Sequence, residues 1–265
     1  MLYGVCTAAS GPAPHLKAVD FIEENVQGFL KPRDADAAAW GNRLAAARQA
    51  GRPILAANCF LPGDLPCVGP QVDRAAILAW ATVAFARAAE AGMTRIVFGS
   101  GASRRIPEGF SRALARDQFV DLLREIGPVA ATRGVLLVVE PLNRGECNFI
   151  NSVDEGAAIV RDANVAGVRL LADLYHMARD GEGPESLLRA GDLLQHVHVA
   201  EREQRTAPGV QGDDFGPWLR ALAAIRYQGA ISIESGWSDM PSQLTAAIAA
   251  LRRQVEAAFG VAAKR

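Results

Sequence analysis

The stretch GVLLVVEPLNR at residues 134–144 holds the feature that decides the fold, because a run of apolar residues ends on the acidic residue Glu140. Three later stretches repeat this arrangement: VRLLAD at residues 168–173, LLQHVH at 193–198 and AISIE at 230–234. Each stretch ends on a side chain that can bind a metal ion, which gives the set Glu140, Asp173, His198 and Glu234. The intervals of 33, 25 and 36 residues each leave room for a loop, a helix and the next strand. The pattern predicts one metal-binding side chain per βα unit in the second half of the chain.

Short apolar runs alternate with amphipathic helical patterns along the whole chain, which is typical of repeated βα units that build a parallel sheet. Eight runs are predicted strands: residues 2–6, 19–23, 54–58, 95–98, 135–139, 168–172, 193–197 and 230–233. A length of 265 residues fits the typical ~250 residues of a (β/α)8 barrel. We therefore predict an α/β fold consisting of a single TIM-barrel domain over residues 1–265.

Charge and composition limit which binding partners, cellular location and cysteine chemistry we expect. The formal net charge is −1 and the chain has no long basic run, so nothing predicts binding to nucleic acid or to an anionic membrane surface. No stretch reaches the length of a membrane span and the first residues lack a signal-peptide pattern, so we expect a cytoplasmic protein. The four cysteines show no CxxC spacing, which favours free thiols over a zinc knuckle or a disulfide framework.

The four side chains at the strand ends are expected to meet. In a closed barrel of parallel strands the carboxyl ends converge on one mouth, where the active sites of this architecture lie. Three carboxylates and one imidazole at that mouth predict a divalent metal site. Each acid alone has a structural explanation, since Glu140 could pair with Arg144 at the rim. His196 points to the same face of its strand as His198 but one layer deeper, so we expect a hydrogen-bonded core histidine rather than a second histidine ligand.

Four motifs in the second half of the chain belong together. They are EPLNR at residues 140–144 with Glu146 and Asn151 after it, DLYHM at 173–177, HVH at 196–198 and SIE at 232–234. Together they resemble the xylose isomerase-like TIM-barrel superfamily, in particular its branch of sugar epimerases and hydroxypyruvate isomerases. The resemblance implies that Glu140, Asp173, His198 and Glu234 bind one divalent metal ion, with Mn²⁺ as the first expectation and Mg²⁺ or Co²⁺ as alternatives.

The same resemblance implies that Glu146, His176 and Arg205 contact the substrate. The loop that contains Arg205 is one residue longer than in the family pattern, which leaves its register open. A loop arginine exposed to solvent is the alternative interpretation of this residue.

The resemblance further implies a metal-dependent isomerase or epimerase that acts on a small keto sugar. Such an enzyme removes a proton from the carbon next to a carbonyl and forms an enediolate, with the metal as Lewis acid. Glu140 and Glu234 are expected to move the proton, because strands five and eight are three positions apart in the ring and let the two acids approach a substrate from different sides. A lyase of the same superfamily, which dehydrates an inosose or cleaves an oxidised glycoside, needs the same metal and base and is the first alternative.

The sequence also bears on two other classes of protein and on one further site. A zinc-dependent DNA-repair endonuclease on this fold needs more metal ligands than this chain offers, since it has only four histidines. It also needs a basic DNA-binding face, which a net charge of −1 does not favour. A non-catalytic binding protein is the remaining class, and the helical faces are compatible with a homo-oligomer.

The loop at residues 99–105, with two glycines and two arginines, could offer amide and guanidinium groups to a phosphate, or it could present these arginines to solvent.

Overall fold

Eight parallel strands close into a barrel in which each strand is hydrogen-bonded to the next and the last pairs with the first. The computed structural model describes residues 1–262. The strands are β1 Leu2–Cys6, β2 Phe21–Asn25, β3 Ile54–Asn58, β4 Arg95–Phe98, β5 Leu136–Val139, β6 Val168–Asp173, β7 Leu194–Val199 and β8 Ala230–Ile233. The predicted (β/α)8 barrel is confirmed. A single domain over residues 1–265 stays a prediction, and residues 263–265 lie outside the described residues.

Helices cover the outside of the barrel. They are α1 Ala37–Arg48, α2 Arg74–Ala91, α3 Arg112–Thr132, α4 Val153–Ala163, α5 Leu174–Asp180, α6 Glu185–Ala190, α7 Gly216–Ala224 and α8 Met240–Ala262. Polar caps set their starts: the side chains of Asp73 and Ser111 accept hydrogen bonds from main-chain N–H groups in the first turns of α2 and α3. Within residues 1–262, no helix is both long enough and apolar enough to cross a bilayer.

Four strands have ends that differ from the prediction. β2 begins two residues late because the Val19 N–H donates to the Leu16 carbonyl and closes a 3₁₀ turn, Pro14–Ala18. β5 begins at Leu136 because the N–H of Val135 still bonds to the end of α3. β6 and β7 run further than predicted, so that the two metal-binding side chains expected after them lie within the strands and are directly paired.

One half of the barrel interior is apolar. Val97, Val138 and Leu171, on β4, β5 and β6, form a small cluster that is separate from the main core between strands and helices. Phe21 on β2 is fully buried, and Gly4 on β1 leaves the space for its ring, since a Cβ at Gly4 would overlap with that ring. The cluster on β4 to β6 thus forms the apolar half, whereas the ring of Phe21 lies beside the polar half, with its centroid 6.3 Å from that of His196.

The other half of the interior is polar. Glu23 on β2, His196 on β7 and Ser232 on β8 are all fully buried. The expectation that His196 is a hydrogen-bonded histidine in a deeper layer is confirmed, because its Nε2 lies 2.7 Å from Oε2 of Glu23.

Candidate metal centre

Four side chains from four strands meet at the mouth of the barrel. One ligand atom from each of Glu140, Asp173, His198 and Glu234 lies within 4.8 Å of the others. Asp173 and His198 belong to β6 and β7, whereas Glu140 and Glu234 directly follow β5 and β8. The structure thus brings together all four side chains that the sequence pattern singled out.

The two carboxylate oxygens of Asp173 have different surroundings. Oδ1 accepts hydrogen bonds from the main-chain N–H groups of Tyr175 at 2.7 Å and His176 at 3.3 Å, which caps the start of α5. Oδ2 is buried and accepts no hydrogen bond from the described residues. Nη2 of Arg205 and Nε2 of His176 each lie 3.5 Å from Oδ2 without a hydrogen bond. A buried oxygen that accepts no hydrogen bond is costly, and a cation in the cluster would satisfy it.

The ring of His198 lies between carboxylates on both sides. Its Nε2 is 2.8 Å from Oε1 of Glu23, while its Nδ1 is 3.1 Å from Oε1 of Glu140 and 3.2 Å from Oε2 of Glu234. Burial alone would lower the pKa of His198, but the charges of Glu23 and Glu234 outweigh burial and raise the pKa well above its usual value. Without a metal, Nδ1 therefore holds a proton that a bound cation would replace.

The cluster carries more negative charge than its own cations neutralise. Burial raises the pKa of Glu140, and the charges of Glu234 and Asp173 add to this against the opposing effect of His198. Burial also acts to raise the pKa of Glu234, but His198 and Arg205 outweigh it and lower this pKa to about 2. A divalent cation would relieve the excess of negative charge, and three carboxylates with one imidazole are a donor set that suits such an ion. The residues present therefore fit a metal site.

Arg205 enters the cluster from the loop after β7. Its Nη2 lies 2.6 Å from Oε2 of Glu234 and 3.5 Å from Oδ2 of Asp173. Its guanidinium carbon is 4.7 Å from the ring centroid of Tyr175, within the range of a cation–π contact. Burial would lower the pKa of Arg205, but the surrounding carboxylates raise it. The interpretation of Arg205 as a solvent-exposed loop residue is wrong.

A cavity of about 360 Å³ opens over the cluster. Its walls include Glu140, Glu146, His176, Arg205 and Glu234. The three residues predicted to contact a substrate therefore line the same cavity as two of the clustered acids. Its volume is in the range of small-molecule sites. A second cavity of the same volume lies beside α7, but none of the four clustered side chains lines it.

His176 has a defined tautomer in this cavity. The amide Nδ2 of Asn143 lies 2.7 Å from Nδ1 of His176 and 3.1 Å from Oε1 of Glu146. An amide nitrogen can only donate, so Nδ1 of His176 accepts and the ring hydrogen is on Nε2. His176 therefore presents a hydrogen-bond donor, 3.5 Å from Oδ2 of Asp173.

Three residues that hold the cluster in place were not predicted from the sequence pattern. Glu23 contacts His198, Asn143 contacts His176, and Asn58 donates from Nδ2 to Oε1 of Glu234 at 2.7 Å. Glu23 and Asn58 each close a predicted strand, as the clustered acids do in the second half of the chain. The same signal therefore exists in the first half.

The interpretation of the loop at residues 99–105 as a phosphate site is wrong for Arg104. This side chain is fully buried, and its guanidinium donates to the carbonyls of Phe98 at 3.0 Å and Ile150 at 3.5 Å. Arg105 donates to the carbonyl of Glu146. Both arginines join this loop to the one after β5.

Glu201 organises the loop that carries Arg205. Its carboxylate is fully buried and accepts hydrogen bonds from the Thr206 hydroxyl and from the main-chain N–H groups of Gly209, Gln211, Gly212 and Asp213. Gln204 and Arg205 have backbone φ angles of 58° and 52°, which residues other than glycine rarely adopt. The buried carboxylate stabilises a loop conformation that the local sequence would not favour.

Comparisons with known proteins identify a family and several relatives of this barrel. A family model described as xylose isomerase-like TIM barrel matches residues 16–254. L-ribulose 3-epimerase of Methylomonas sp. (strain DH-1) is 34% identical over 126 residues, 47% of this chain and 44% of the relative. 3-dehydro-D-guloside 4-epimerase of Escherichia coli (strain K12) is 32% identical over 120 residues, 45% of either protein. The chain thus spans less than half the length of these relatives.

The fold likeness extends over nearly the whole chain. The crystal structure of 3-keto-D-glucoside 4-epimerase from E. coli superposes with a TM-score of 0.76 and 24% sequence identity, covering 96% of this chain and 99% of that one. At this level of identity the likeness shows the fold alone.

We predict that Glu201→Gln loosens the loop around Arg205, because an amide replaces one of the two accepting oxygens. The free energy of unfolding should fall by about 1–3 kcal/mol, measured by urea denaturation. Trypsin should also cleave after Arg202 and Arg205 faster than in the unaltered protein. Glu203→Gln, in the same loop with its side chain 64% exposed, is the matched control and should change neither quantity. Equal stability and equal cleavage rates in both variants would contradict the role given to Glu201.

Proposed function

Because the chain belongs to the xylose isomerase-like TIM barrel family, we propose that it is a metal-dependent epimerase or isomerase that acts on a small keto sugar. The observation that carries this proposal is the meeting of Glu140, Asp173, His198 and Glu234 around a buried carboxylate oxygen that accepts no hydrogen bond from the described residues. The family match and the epimerase relatives support the same class of reaction.

In this proposal the four clustered residues hold one divalent ion. Mn²⁺ is the first candidate, with Mg²⁺ or Co²⁺ as alternatives, since a set of three oxygens and one nitrogen accommodates each of these ions. When bound, the ion polarises a substrate carbonyl and stabilises negative charge that develops on its oxygen.

Glu140 and Glu234 are the groups proposed to move the proton at the carbon next to the carbonyl. Both line the cavity, and they directly follow strands β5 and β8, which are three positions apart around the barrel. They can therefore face a substrate carbon from different sides, as epimerisation requires. Arg205 and Asn58 keep Glu234 ionised and oriented, so that it can accept a proton.

Glu146, His176 and Arg205 are proposed to bind the substrate. His176 offers an Nε2–H donor because Asn143 occupies its other nitrogen. Glu146 offers a carboxylate that is 41% exposed, and Arg205 offers a guanidinium 3.7 Å from it. Acceptors and donors on one wall are what the hydroxyl and carbonyl groups of a sugar need.

The proposed reaction is tested with a panel of ketopentoses, ketohexoses and 3-keto glycosides, incubated with Mn²⁺ in deuterated buffer and analysed by NMR after removal of the metal. We expect an epimer or isomer in which deuterium replaces one hydrogen next to the carbonyl. Loss of water or of an aglycone would identify a lyase instead. No product from any substrate, with Mn²⁺ shown to be bound, would refute the proposal.

We predict that Glu140→Gln and Glu234→Gln each lower kcat by about 10²–10⁴-fold, the usual contribution of a positioned acid or base. The fold should remain intact, which circular dichroism can verify. Glu256→Gln on the exposed surface of α8 is the control and should retain full activity. Near-normal turnover by either cavity variant with metal bound would show that its carboxylate is not needed for proton transfer.

We also predict that Gly99→Ala weakens metal binding without unfolding the protein. A Cβ at Gly99 would overlap with Oε2 of Glu140, which is the movable end of a side chain, so the carboxylate would turn away. The affinity for Mn²⁺ should fall by about 10–100-fold, as for other changes that disturb ligand position, measured by isothermal titration calorimetry.

Gly41→Ala in α1 is the matched control for this substitution, because its added Cβ has no described atom within 4 Å outside the neighbouring backbone of its own helix. It should bind Mn²⁺ as tightly as the unaltered protein. If Gly99→Ala also did so, the carboxylate of Glu140 could not be a ligand in its observed position.

A further inference from the structure

Glu23 is a carboxylate buried in the barrel interior that the proposed reaction does not use. It lies on β2 and is fully buried. Oε1 is 2.8 Å from Nε2 of His198, and Oε2 is 2.7 Å from Nε2 of His196 and 2.6 Å from the hydroxyl of Ser232. One carboxylate therefore joins three strands in a layer directly beneath the candidate metal site.

This arrangement fixes which nitrogen of His198 keeps its hydrogen when a cation replaces the other one. An ionised carboxylate can only accept hydrogen bonds, so Nε2 of His198 is the donor to Glu23. The other nitrogen, Nδ1, points to Glu140 at 3.1 Å and Glu234 at 3.2 Å. Nδ1 is thus the atom that can offer a lone pair to a cation held by these two acids.

His196 and Ser232 keep Glu23 from turning away. His196 is fully buried, and its Nδ1 has no hydrogen-bond partner among the described residues. Its hydrogen is therefore on Nε2, where Glu23 accepts it, because a buried N–H group without an acceptor would cost more than a bare lone pair. With the Ser232 hydroxyl as a second donor, Oε2 is held at a fixed position and Oε1 remains aimed at His198.

We propose that Glu23 is a positioning residue that selects the metal-binding tautomer of His198 and orients its ring. The inference rests on the proposed metal site. It assigns to β2 a residue that supports the metal ligands, which themselves lie on or directly after β5 to β8. A carboxylate behind a metal-binding histidine raises the basicity of the ring and holds its orientation.

Glutamine cannot replace Glu23 without placing a hydrogen-bond donor where Glu23 has an acceptor. If its NH₂ group faced His198, Nε2 would have to accept, and the hydrogen would move to Nδ1 and block the metal. If the NH₂ group faced His196 instead, the hydrogen of His196 would move to Nδ1, where it has no acceptor among the described residues. Either orientation disturbs the layer beneath the metal site.

The first arm of the test measures the affinity for Mn²⁺ by isothermal titration in the unaltered protein, Glu23→Gln and Glu24→Gln. Glu24 is the matched control, because it is the next residue on β2 and is 4% exposed. Among the described residues it accepts only from the main-chain N–H groups of Ala9 and Asn25. We expect Glu23→Gln to weaken binding by about 10–100-fold and Glu24→Gln to leave it unchanged. Equal affinity in all three proteins would overturn the inference.

The second arm needs no variant and covers the case in which Glu23→Gln does not fold. The protein has four histidines, and ¹⁵N-histidine NMR with Zn²⁺ as a diamagnetic probe reports which nitrogen of each ring is protonated. We expect His198 to bind Zn²⁺ through Nδ1 and to carry its hydrogen on Nε2. Zinc on Nε2 of His198 would overturn the inference while leaving the metal site itself in place. Failure of the unaltered protein to bind Mn²⁺ or Zn²⁺ would instead refute the proposed function.

Discussion

Buried negative charge at the mouth of the barrel is the constraint on which the rest of the site depends. An ionised carboxylate removed from water costs several kcal/mol unless donors or cations surround it. The chain supplies fixed donors to three of the buried acids: main-chain N–H groups for Asp173, Asn58 for Glu234, and, one layer below, two imidazoles with a hydroxyl for Glu23. The oxygens that remain face inward to His198, where a small cation would satisfy them together. The scaffold thus determines the position of the inner oxygens.

The sequence predicted the barrel and the cluster because both depend on a long-range periodicity. Acids such as Glu140 recur at strand ends, and only a closed parallel barrel brings equivalent ends to one place. Details that depend on local geometry were not predictable. The start of β2 shifted because Val19 closes a turn, and the direction of Arg205 depends on a left-handed backbone stabilised by Glu201 from within the same loop. Glu23 carried the same strand-end signal, but its partners lie on strands far away in sequence.

The positive groups of the cluster come from elements of different rigidity. His198 belongs to β7, is paired on both sides in the sheet, and is fully buried. Arg205 belongs to a loop, is 28% exposed, and shares Oε2 of Glu234 with His198. A loop residue can change its partner when a ligand enters the cavity at a lower cost than a strand residue can. This difference agrees with the proposed roles of His198 as a metal ligand and of Arg205 as a substrate contact.

The polar layer of Glu23, His196 and Ser232 is hard to explain by stability alone. Well-packed apolar side chains of similar volume at such buried positions are often as stabilising or more so, and the opposite half of the barrel interior uses them, with Val138 and Leu171. The polar half lies directly beneath His198, whereas the apolar half does not contain an imidazole that must be oriented. Orientation of one ring therefore gives a physical reason for a charged layer in an otherwise apolar core.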